Sequence, residues 1–572
     1  MVNETTDEKS SRVLSSPSSS SNRSTPPTTA DPEKKDRSER RGSQGRLVTS
    51  HGPGEEVEGV PHHHHKPSLS SAPAPLPQYT DDGKRIISED ECEGILGYAW
   101  PTWKKWMLLT SIVLVQISMN FNTSVYPNVV TPLTEAFGVS ETMARLGQCL
   151  FLILYAFGCE LWAPWSEEFG RWRVLQISLF FVNVWQILAA LAPNIGTILV
   201  ARSLGGLSSA GGSVTLGMVA DLYGPDDQQW AVAYVVMSSV VGTSIGPVVG
   251  GPIQKFLSWH WNFWIQLIFG LTVQAIHLFM PESRSTIIMD REAKRRRSSG
   301  EEDNVYGPNE VKRPRISLHE FGITWIRPFE MFLREPIVLS CSLLSGFSDA
   351  LIFTFQEGYK PVYQKWGFGV LQIAWAFIPI NIGYAVAYAS YVPWIRRDQH
   401  RIRTAGADSM APEFRLKWLL WLAPLETIGL FGFAWTSMGP PESHWIGPMV
   451  FSFLIAVANY AIYMSTIDYM IAAYGVYSAS ATGGNGFARD FLAGISSLYA
   501  TPLYGSWAGD MTTQYASTIL GCIAAVVLVP VYVIYWKGPE IRIRSKFAES
   551  LDAERKDKER RRSSAAPVIP QV

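Results

Sequence analysis

Cysteine is scarce in this chain of 572 residues. The five present (Cys92, Cys149, Cys159, Cys341 and Cys522) are scattered and show no metal-ligand spacing. They suggest no disulfide framework, and four of them fall in apolar segments, where a thiol behaves as a small hydrophobe. No Ser/His/Asp, Cys/His or metal constellation stands out, so the chain does not read as an enzyme, and neither cofactor nor metal is expected. A Gly-x4-Gly-Lys-Ser/Thr phosphate loop is also missing, which disfavours ATP as an energy source. Met1 to Ala30 has no apolar h-region, so a first membrane span is expected to act as its own insertion signal. Residues 1–104 contain no apolar run above a few residues and are rich in Ser, Pro and charge. Such a segment cannot bury enough apolar surface to offset ordering, and a disordered tail is expected there. Within it His62 to His65 read as solvated low-complexity sequence, and the less polar stretch from Tyr79 to Trp103 is expected to lie along a membrane surface. With 49 basic and 50 acidic residues the net charge is −1, and no nucleic-acid partner is expected.

What the chain has in abundance is apolar runs. The mean hydropathy of +0.05 averages two populations. Residues 1–104, 281–335 and 538–572 are polar, and the remainder is dense in apolar runs of about 20 residues, the length that crosses a hydrocarbon core. Spans are expected near 106–126, 142–162, 174–193, 197–220, 230–251 and 261–280, and again near 337–357, 370–394, 417–437, 446–468, 480–503 and 516–536. The reading is an all-α membrane protein of twelve helices in two halves, 105–280 and 336–537, joined by a central loop at 281–335 and flanked by tails at 1–104 and 538–572.

Basic residues orient the bundle. One set of connections holds Lys104, Lys105, Arg171, Arg173, the clusters Lys294–Arg297 and Lys312–Arg315, Arg396, Arg397, Arg401, Arg403, Arg415 and Lys417, whereas the other holds Lys255, Lys360 and Lys365. The asymmetry places both termini in the cytoplasm; the acidic turn Asp226-Asp227 does not oppose it, because carboxylates contribute little to this rule. Asn122-Thr-Ser124 is a formal glycosylation sequon near the outer end of span one, too deep to be modified, and the sequons at Asn3 and Asn22 lie on the wrong side.

Span five carries Ser238-Ser-Val-Val-Gly-Thr-Ser-Ile-Gly-Pro-Val-Val-Gly-Gly-Pro252. Gly242, Gly246 and Gly250 recur every four residues and share one helix face, where small residues let a neighbouring helix approach. With Pro247 and Gly251, this spacing resembles the fifth-helix signature of major facilitator superfamily antiporters. Two further stretches of the first half resemble motifs of that superfamily, so that the three stand in the right order and on the right spans, and shorter elements follow them. Ala163-Pro-Trp-Ser-Glu-Glu-Phe-Gly-Arg171 is similar to the loop between the second and third helices of fungal members, although Ala163, Glu168 and Trp172 depart from the usual pattern. Arg202-Ser-Leu-Gly-Gly-Leu-Ser-Ser-Ala-Gly-Gly212 resembles the fourth helix. Pro281-Glu-Ser283, Glu292-Ala-Lys294 and Tyr477-Ser-Ala-Ser-Ala481 with Arg489 are similar to elements of fungal drug:proton antiporters with twelve spans. The resemblance covers about 100–540. It implies a cytoplasmic gate in which Gly170 permits a tight turn and Glu167, Arg171 and Asp221 pair, mirrored by Asp468 and Arg489 with Asp490 in the second half. Glu160, near the inner end of span two, reads as part of the same gate.

Ionisable groups inside a bilayer cost from about 2.5 kcal/mol upward and so require a reason. Asp349, mid-span in Gly346-Phe-Ser-Asp-Ala350, is read as a proton-coupling carboxylate or as a fixed partner of Arg202 or Arg489. Arg202 is read as a cavity-facing cation or as an arginine snorkelling outward, and Glu426 as a second proton site or a packed glutamate. Glu357, Gln356 and Tyr359 suit a gate at the outer end. Asn120, Asn122, Tyr126, Asn381, Asn459, Tyr460 and Tyr463 are candidate cargo contacts, since such sites lie near the midplane between halves. Beside these charges, the resemblance implies a monomeric, proton-coupled exporter of a small organic molecule (a drug, secondary metabolite, polyamine or organic acid) embedded in the plasma membrane, or alternatively the vacuolar membrane. A proton-coupled nutrient importer and a membrane sensor built on a transporter scaffold are the other readings of the same sequence.

Overall fold

Glycine, proline and serine decide where the apolar runs break. In the computed structural model, residues 78–548 are described apart from Asp81, 225–226, 312–317, 406–409, Ser506 and Lys546. His62–His65, the sequons at Asn3 and Asn22, Asp226 and the Lys312–Arg315 cluster therefore lie outside the described residues. The first apolar run forms α1 (Thr102–Ser124) and α2 (Pro127–Phe137), bent by 42°. Pro127 starts the second piece, where a missing N–H costs nothing, and Gly138 ends it in the left-handed conformation at φ 62°. Next come α3 (Glu141–Phe169), opened by the Ser140 cap, and α4 (Arg171–Ala190). The fourth run is two helices, α5 (Ile195–Ser208) and α6 (Gly211–Leu222). The Ser178 hydroxyl repairs that break: it accepts from the Ala210 N–H at 2.9 Å and donates to the Ser208 carbonyl at 2.7 Å. The first half closes with α7 (Gln229–Phe256) and α8 (His260–Leu278).

The polar connection carries α9 (Ser285–Ser299), α10 (Pro308–Val311) and α11 (Leu318–Arg334). The second half comprises α12 (Pro336–Gln364), α13 (Val370–Trp375), α14 (Ile378–Ala405), α15 (Lys417–Leu422), α16 (Pro424–Thr436), α17 (Ile446–Tyr474), α18 (Ser478–Leu503) and α19 (Thr512–Ile543). Counting α1–α2, α5–α6, α13–α14 and α15–α16 as single spans gives the twelve expected. Among the described residues eight helical segments are individually long and apolar enough to cross a membrane, and the bent α1–α2 pair makes nine. The other three spans are α5–α6, which is broken; α8, which carries His, Asn and Gln; and α18, which carries Asn485, Arg489 and Asp490.

The two halves repeat one packing plan. α1 lies on α7 as α12 lies on α18; α3 lies on α5 as α14 lies on α17; α4 lies on α8 as α16 lies on α19. Contacts between halves run through α3 with α18 and through α7 with α13, α14 and α17. The helix ends and connections that hold Arg171, Arg284, Arg415 and Arg542 mark one end of the bundle, hereafter the basic end; the opposite end is the far end.

The chain is folded from Gln78, well before the expected boundary at 104. β1 (Gln78–Tyr79) pairs antiparallel with β2 (Arg85–Ile86), which pairs parallel with β3 (Val305–Tyr306) of the central loop. Ile87, Cys92 and Leu96 bury against Met289 and Ala293 of α9 and against Val305. Charge surrounds this small core: Arg85 meets Glu91 and Glu302 at 2.8 Å each, and Arg297 meets Glu310 at 2.8 Å. Hydrogen bonds from Arg295, then Arg296, hold the Glu292 carboxyl down at about 2. Short apolar runs on either side of the membrane half thus make a clasp that neither segment could form alone.

Candidate functional site: a charged cavity between two halves

At the basic end of the first half, Gly170 adopts φ 99°, and a Cβ there would meet a Glu282 carboxylate oxygen at 2.4 Å. Only glycine fits that corner. Glu282 accepts from the backbone N–H groups of Arg171 at 2.9 Å and Trp172 at 3.2 Å, so it caps the start of α4. Arg171 then pairs with Asp221 at 3.1 Å and more loosely with Glu167 at 3.8 Å. Ser283 and Arg284 add bonds to Asp221 at 3.2 Å and 3.5 Å. The Glu167–Arg171–Asp221 trio that the resemblance implied is thus brought together, and its organiser is Glu282, more than a hundred residues away in the chain.

The second half repeats the arrangement with different partners. Asp468 pairs with Arg415, accepts from Tyr391 at 3.2 Å, and reaches across the halves to the Gln229 amide at 2.9 Å. Glu413 pairs with Arg542 at 3.0 Å, and a Cβ on Gly538 would meet Glu413 at 2.5 Å, as one on Gly170 would meet Glu282. Arg489, expected beside Asp468, belongs elsewhere. It lies mid-span, 3.1 Å from Asp490 and 3.8 Å from Asp349, with its guanidinium 4.2 Å from the Tyr463 ring centre. The reason is helical rise: eleven residues of α18 precede it from the start of the helix at Ser478, about 16 Å.

The span-five glycines do pack a neighbour, but inside their own half. Added Cβ atoms on Gly242, Gly246 and Gly250 would strike Asn120, Ser124 and Asn128 of α1–α2, at 2.9, 2.1 and 2.3 Å. Gly251 instead faces Ala374 of the other half, at 2.2 Å. Pro247 lacks the N–H that would have bonded the Thr243 carbonyl. That freed carbonyl accepts from Gln356 of α12 at 3.3 Å, a bond across the halves. Toward the far end the halves are also joined by Ser244 to Asn381 at 2.7 Å, Gln148 to Gln356 at 3.3 Å and, most strongly, Arg145 to Glu357 at 2.9 Å. Both side chains of that last pair are 9% exposed. Arg145 was not legible as a gate residue, because Glu141 four residues earlier makes it look like an ordinary surface pair.

A cavity of about 340 Å³ lies between the halves toward the basic end. α3, α6 and α7 form one wall and α17 and α18 the other, with Glu160, Arg171, Asp221, Tyr463, Arg489 and Asp490 among its lining. Asp349 stands behind Arg489. None of Asn120, Asn381, Asn459 or Tyr460 lines this cavity. Asn120 bonds its own helix at the Gln116 carbonyl, and Tyr460 donates to the Ala233 carbonyl at 3.1 Å. Asn459 sits in a buried network, donating to Ser348 at 3.0 Å and accepting from Tyr384 at 3.1 Å. Glu426, 2% exposed, joins that network through the Ser348 hydroxyl.

Arg202 is not in the cavity, nor does it snorkel: it is 1% exposed within the first half. Its guanidinium lies 4.1 Å from the centre of Phe151 and 4.7 Å from that of Tyr126. It donates to the carbonyl groups of Gly147 and Asn122 and to the Asn122 side chain at 2.5 Å. The sequon asparagine is thus committed to an internal bond.

Comparison with known proteins agrees with this architecture. Residues 112–498 match the family profile for the Major Facilitator Superfamily. The chain is 30% identical over 456 residues to the MFS-type transporter kojT of Aspergillus oryzae, covering 78% of this chain and 79% of that one. It is 32% identical over 394 residues to the efflux pump atB of Aspergillus terreus (68% and 81% covered), and 27% identical over 453 residues to the efflux pump FUB11 of Gibberella moniliformis (78% and 75%). Among solved structures, the human organic anion transporter MFSD10 superposes with a TM-score of 0.52 at 16% identity, over 76% of this chain and all of that one. The Escherichia coli proton:xylose symporter XylE does so with 0.53 at 15%, over 77% and 96%. Twelve spans in two like-packed halves around a charged cavity, matched to that profile over most of the bundle, make this chain a member of the Major Facilitator Superfamily, a multi-pass membrane transporter similar to fungal MFS-type transporters and efflux pumps.

Proposed function

We propose that the protein exports a small organic molecule across the plasma membrane in exchange for protons, by alternating access. The observation that carries this reading is the contact of Asp349 with Arg489 at the head of the cavity. At mid-span an aspartate and a guanidinium at 3.8 Å hold each other charged, and a proton arriving on Asp349 removes that hold. Arg489 then pairs with Asp490 alone, and α12 and α18, which this contact ties, can shift. Glu426, two helices away and linked through Ser348, is the second carboxylate suited to hold a proton. Alternating access is supported by the asymmetry of the seams: the buried ion pair Arg145–Glu357 and its neighbours join the far end, whereas at the basic end a cavity opens beside the Gln229–Asp468 bond. The Arg171–Asp221 and Arg415–Asp468 networks would rim that opening as it closes. The basic residues favour a cytoplasmic basic end, and relatives named efflux pumps favour the outward direction.

The test is flux in proteoliposomes under an imposed pH gradient, read with a panel of fluorescent organic cargo. Gradient-driven accumulation is expected, and Asp349→Asn should abolish the response to the gradient while leaving cargo exchange without a gradient intact. Unchanged coupling in that variant removes Asp349 from the mechanism. No gradient-driven flux for any cargo overturns proton exchange altogether.

A further inference from the structure

The charges that line the cavity do not balance, and one of them stands alone. Arg171 and Arg284 are both engaged by Asp221, and Arg489 is engaged by Asp490 and Asp349. Glu160 has no ion pair or hydrogen bond among the described residues, yet it is only 4% exposed and lines the cavity. Its position is built. A Cβ on Gly483 of the opposite half would lie 2.8 Å from a Glu160 carboxylate oxygen, so the absence of a side chain there makes room for the carboxylate between α3 and α18. Small residues (Gly212, Ser213, Ala479 and Gly486) continue the lining and leave space beside it. A buried carboxylate without a partner carries a large desolvation penalty unless a proton or a cation compensates it. All three guanidinium groups of the cavity already have carboxylate partners.

From this geometry we infer that Glu160 is the cargo's counter-ion, and that the protein takes organic cations, amines or their quaternary analogues, with cargo ammonium and proton competing for the same carboxylate. The inference rests on the transport reading above and names the cargo class of its cavity. Other titratable and charged groups face Glu160. Arg489 and Asp490 approach from α18, Tyr463 from α17, Cys159 from its own helix, and the Arg171–Asp221 pair from the basic end. Glu167 and Arg284 stand at the same rim, paired with Arg171 and Asp221, and Asp349 lies behind Arg489. Except for the tyrosine and the thiol, all of these are paired among themselves, so direct competition between cargo and proton falls on Glu160, while a proton on Asp349 acts on α12 and α18 and not on the cargo contact. A cation seated there also bridges the halves, because Glu160 belongs to the first and its Gly483 neighbour to the second. Occupancy is thereby coupled to the closure of the basic end.

The experiment uses the purified full-length protein in nanodiscs, with radiolabelled tetraphenylphosphonium as probe and tyramine and benzoate as competitors. Binding should weaken as pH falls from 8 to 6, and tyramine should displace the probe while benzoate does not. Glu160→Gln should reduce affinity at pH 8 by at least about thirtyfold and, in an Asp349→Asn background that silences the second carboxylate, remove the pH dependence, as expected when one member of a desolvated charge pair is neutralised. Glu160→Asp should restore part of the affinity and all of the pH dependence, which a merely structural glutamate would not do. Unaltered binding in the Gln variant, displacement by benzoate, or no binding of either cation overturns the assignment. Proteoliposomes separate this outcome from failure of the transport reading. Gradient-driven benzoate flux without cation flux refutes the cation site and keeps the exchanger, whereas intact cation binding with no flux of any probe refutes the exchanger and keeps the site.

Discussion

Neutralising Glu357 tests the mechanical part of the argument directly. The Arg145–Glu357 pair joins α3 to α12 at the far end, and both side chains are 9% exposed, so solvent screens it little. Hydrogen bonds to charged groups contribute about 1.5–3 kcal/mol net. Glu357→Gln keeps one neutral acceptor near Arg145, and Glu141 remains 2.9 Å from the same guanidinium. The arginine is not orphaned, and the net loss should be about 1–2 kcal/mol, a five- to thirtyfold shift in the far-end equilibrium at about 1.4 kcal/mol per decade. If the far-end-open form is populated near 1%, it rises to roughly 5–20%. Spin labels on the exposed positions Ser140 and Gln364, on either side of the seam, should then report a second, longer distance by pulsed electron resonance. Arg145→Met should shift the distribution in the same direction and further, because it leaves the buried Glu357 carboxylate unpaired. An unchanged distance distribution in a well-folded Glu357→Gln protein would refute the view that this pair holds the far end shut.

Other outcomes follow from single contacts. Gly246→Ala forces a Cβ to within 2.1 Å of the Ser124 hydroxyl oxygen and should lower thermal stability by about 1–3 kcal/mol, whereas Gly322→Ala, with nothing within 4 Å, should be neutral or stabilising; differential scanning fluorimetry distinguishes them. Arg202→Lys should destabilise almost as much as Arg202→Met, because an ammonium cannot replace the flat contact with Phe151 and Tyr126 and the fork to Asn122 and Gly147; equal stability of the Lys variant and the native protein would contradict this. Phe329→Ala removes rings packed at 6.1 Å on Phe157 and 4.9 Å on Phe487, so hydrogen exchange over α11 should accelerate while α12 stays protected. In the clasp, a folded-state Glu292 near 2 against an ordinary 4.5 means its stabilisation is complete above pH 4.5 and fades only as pH falls toward 2. Proteolysis between Gln78 and Trp103 should accordingly be flat from pH 5 to 8, and Arg295→Ala with Arg296→Ala should speed it.

The chain by itself determined the class of the protein. Runs of apolar residues at bilayer length can be satisfied only as spanning helices, since backbone groups in lipid must bond internally, so the number and order of spans are local properties. The 163–171 turn was legible through its resemblance to a family loop, and it folds locally because Gly170 and Arg171 sit next to each other. Tertiary structure decided everything that depends on which helix face meets which. It put Arg202 between two aromatic rings and away from the cavity, joined Asp349 to Arg489 across α12 and α18, and replaced the expected Asp468–Arg489 lock with Asp468–Arg415. It also drew Gln78–Leu96 out of an expected tail, because β2 finds its partner strand more than 200 residues later. Glu160 shows the division most plainly. Its sequence position marks only a charge near a span end, and only the packed halves reveal that every other charge around it has a partner.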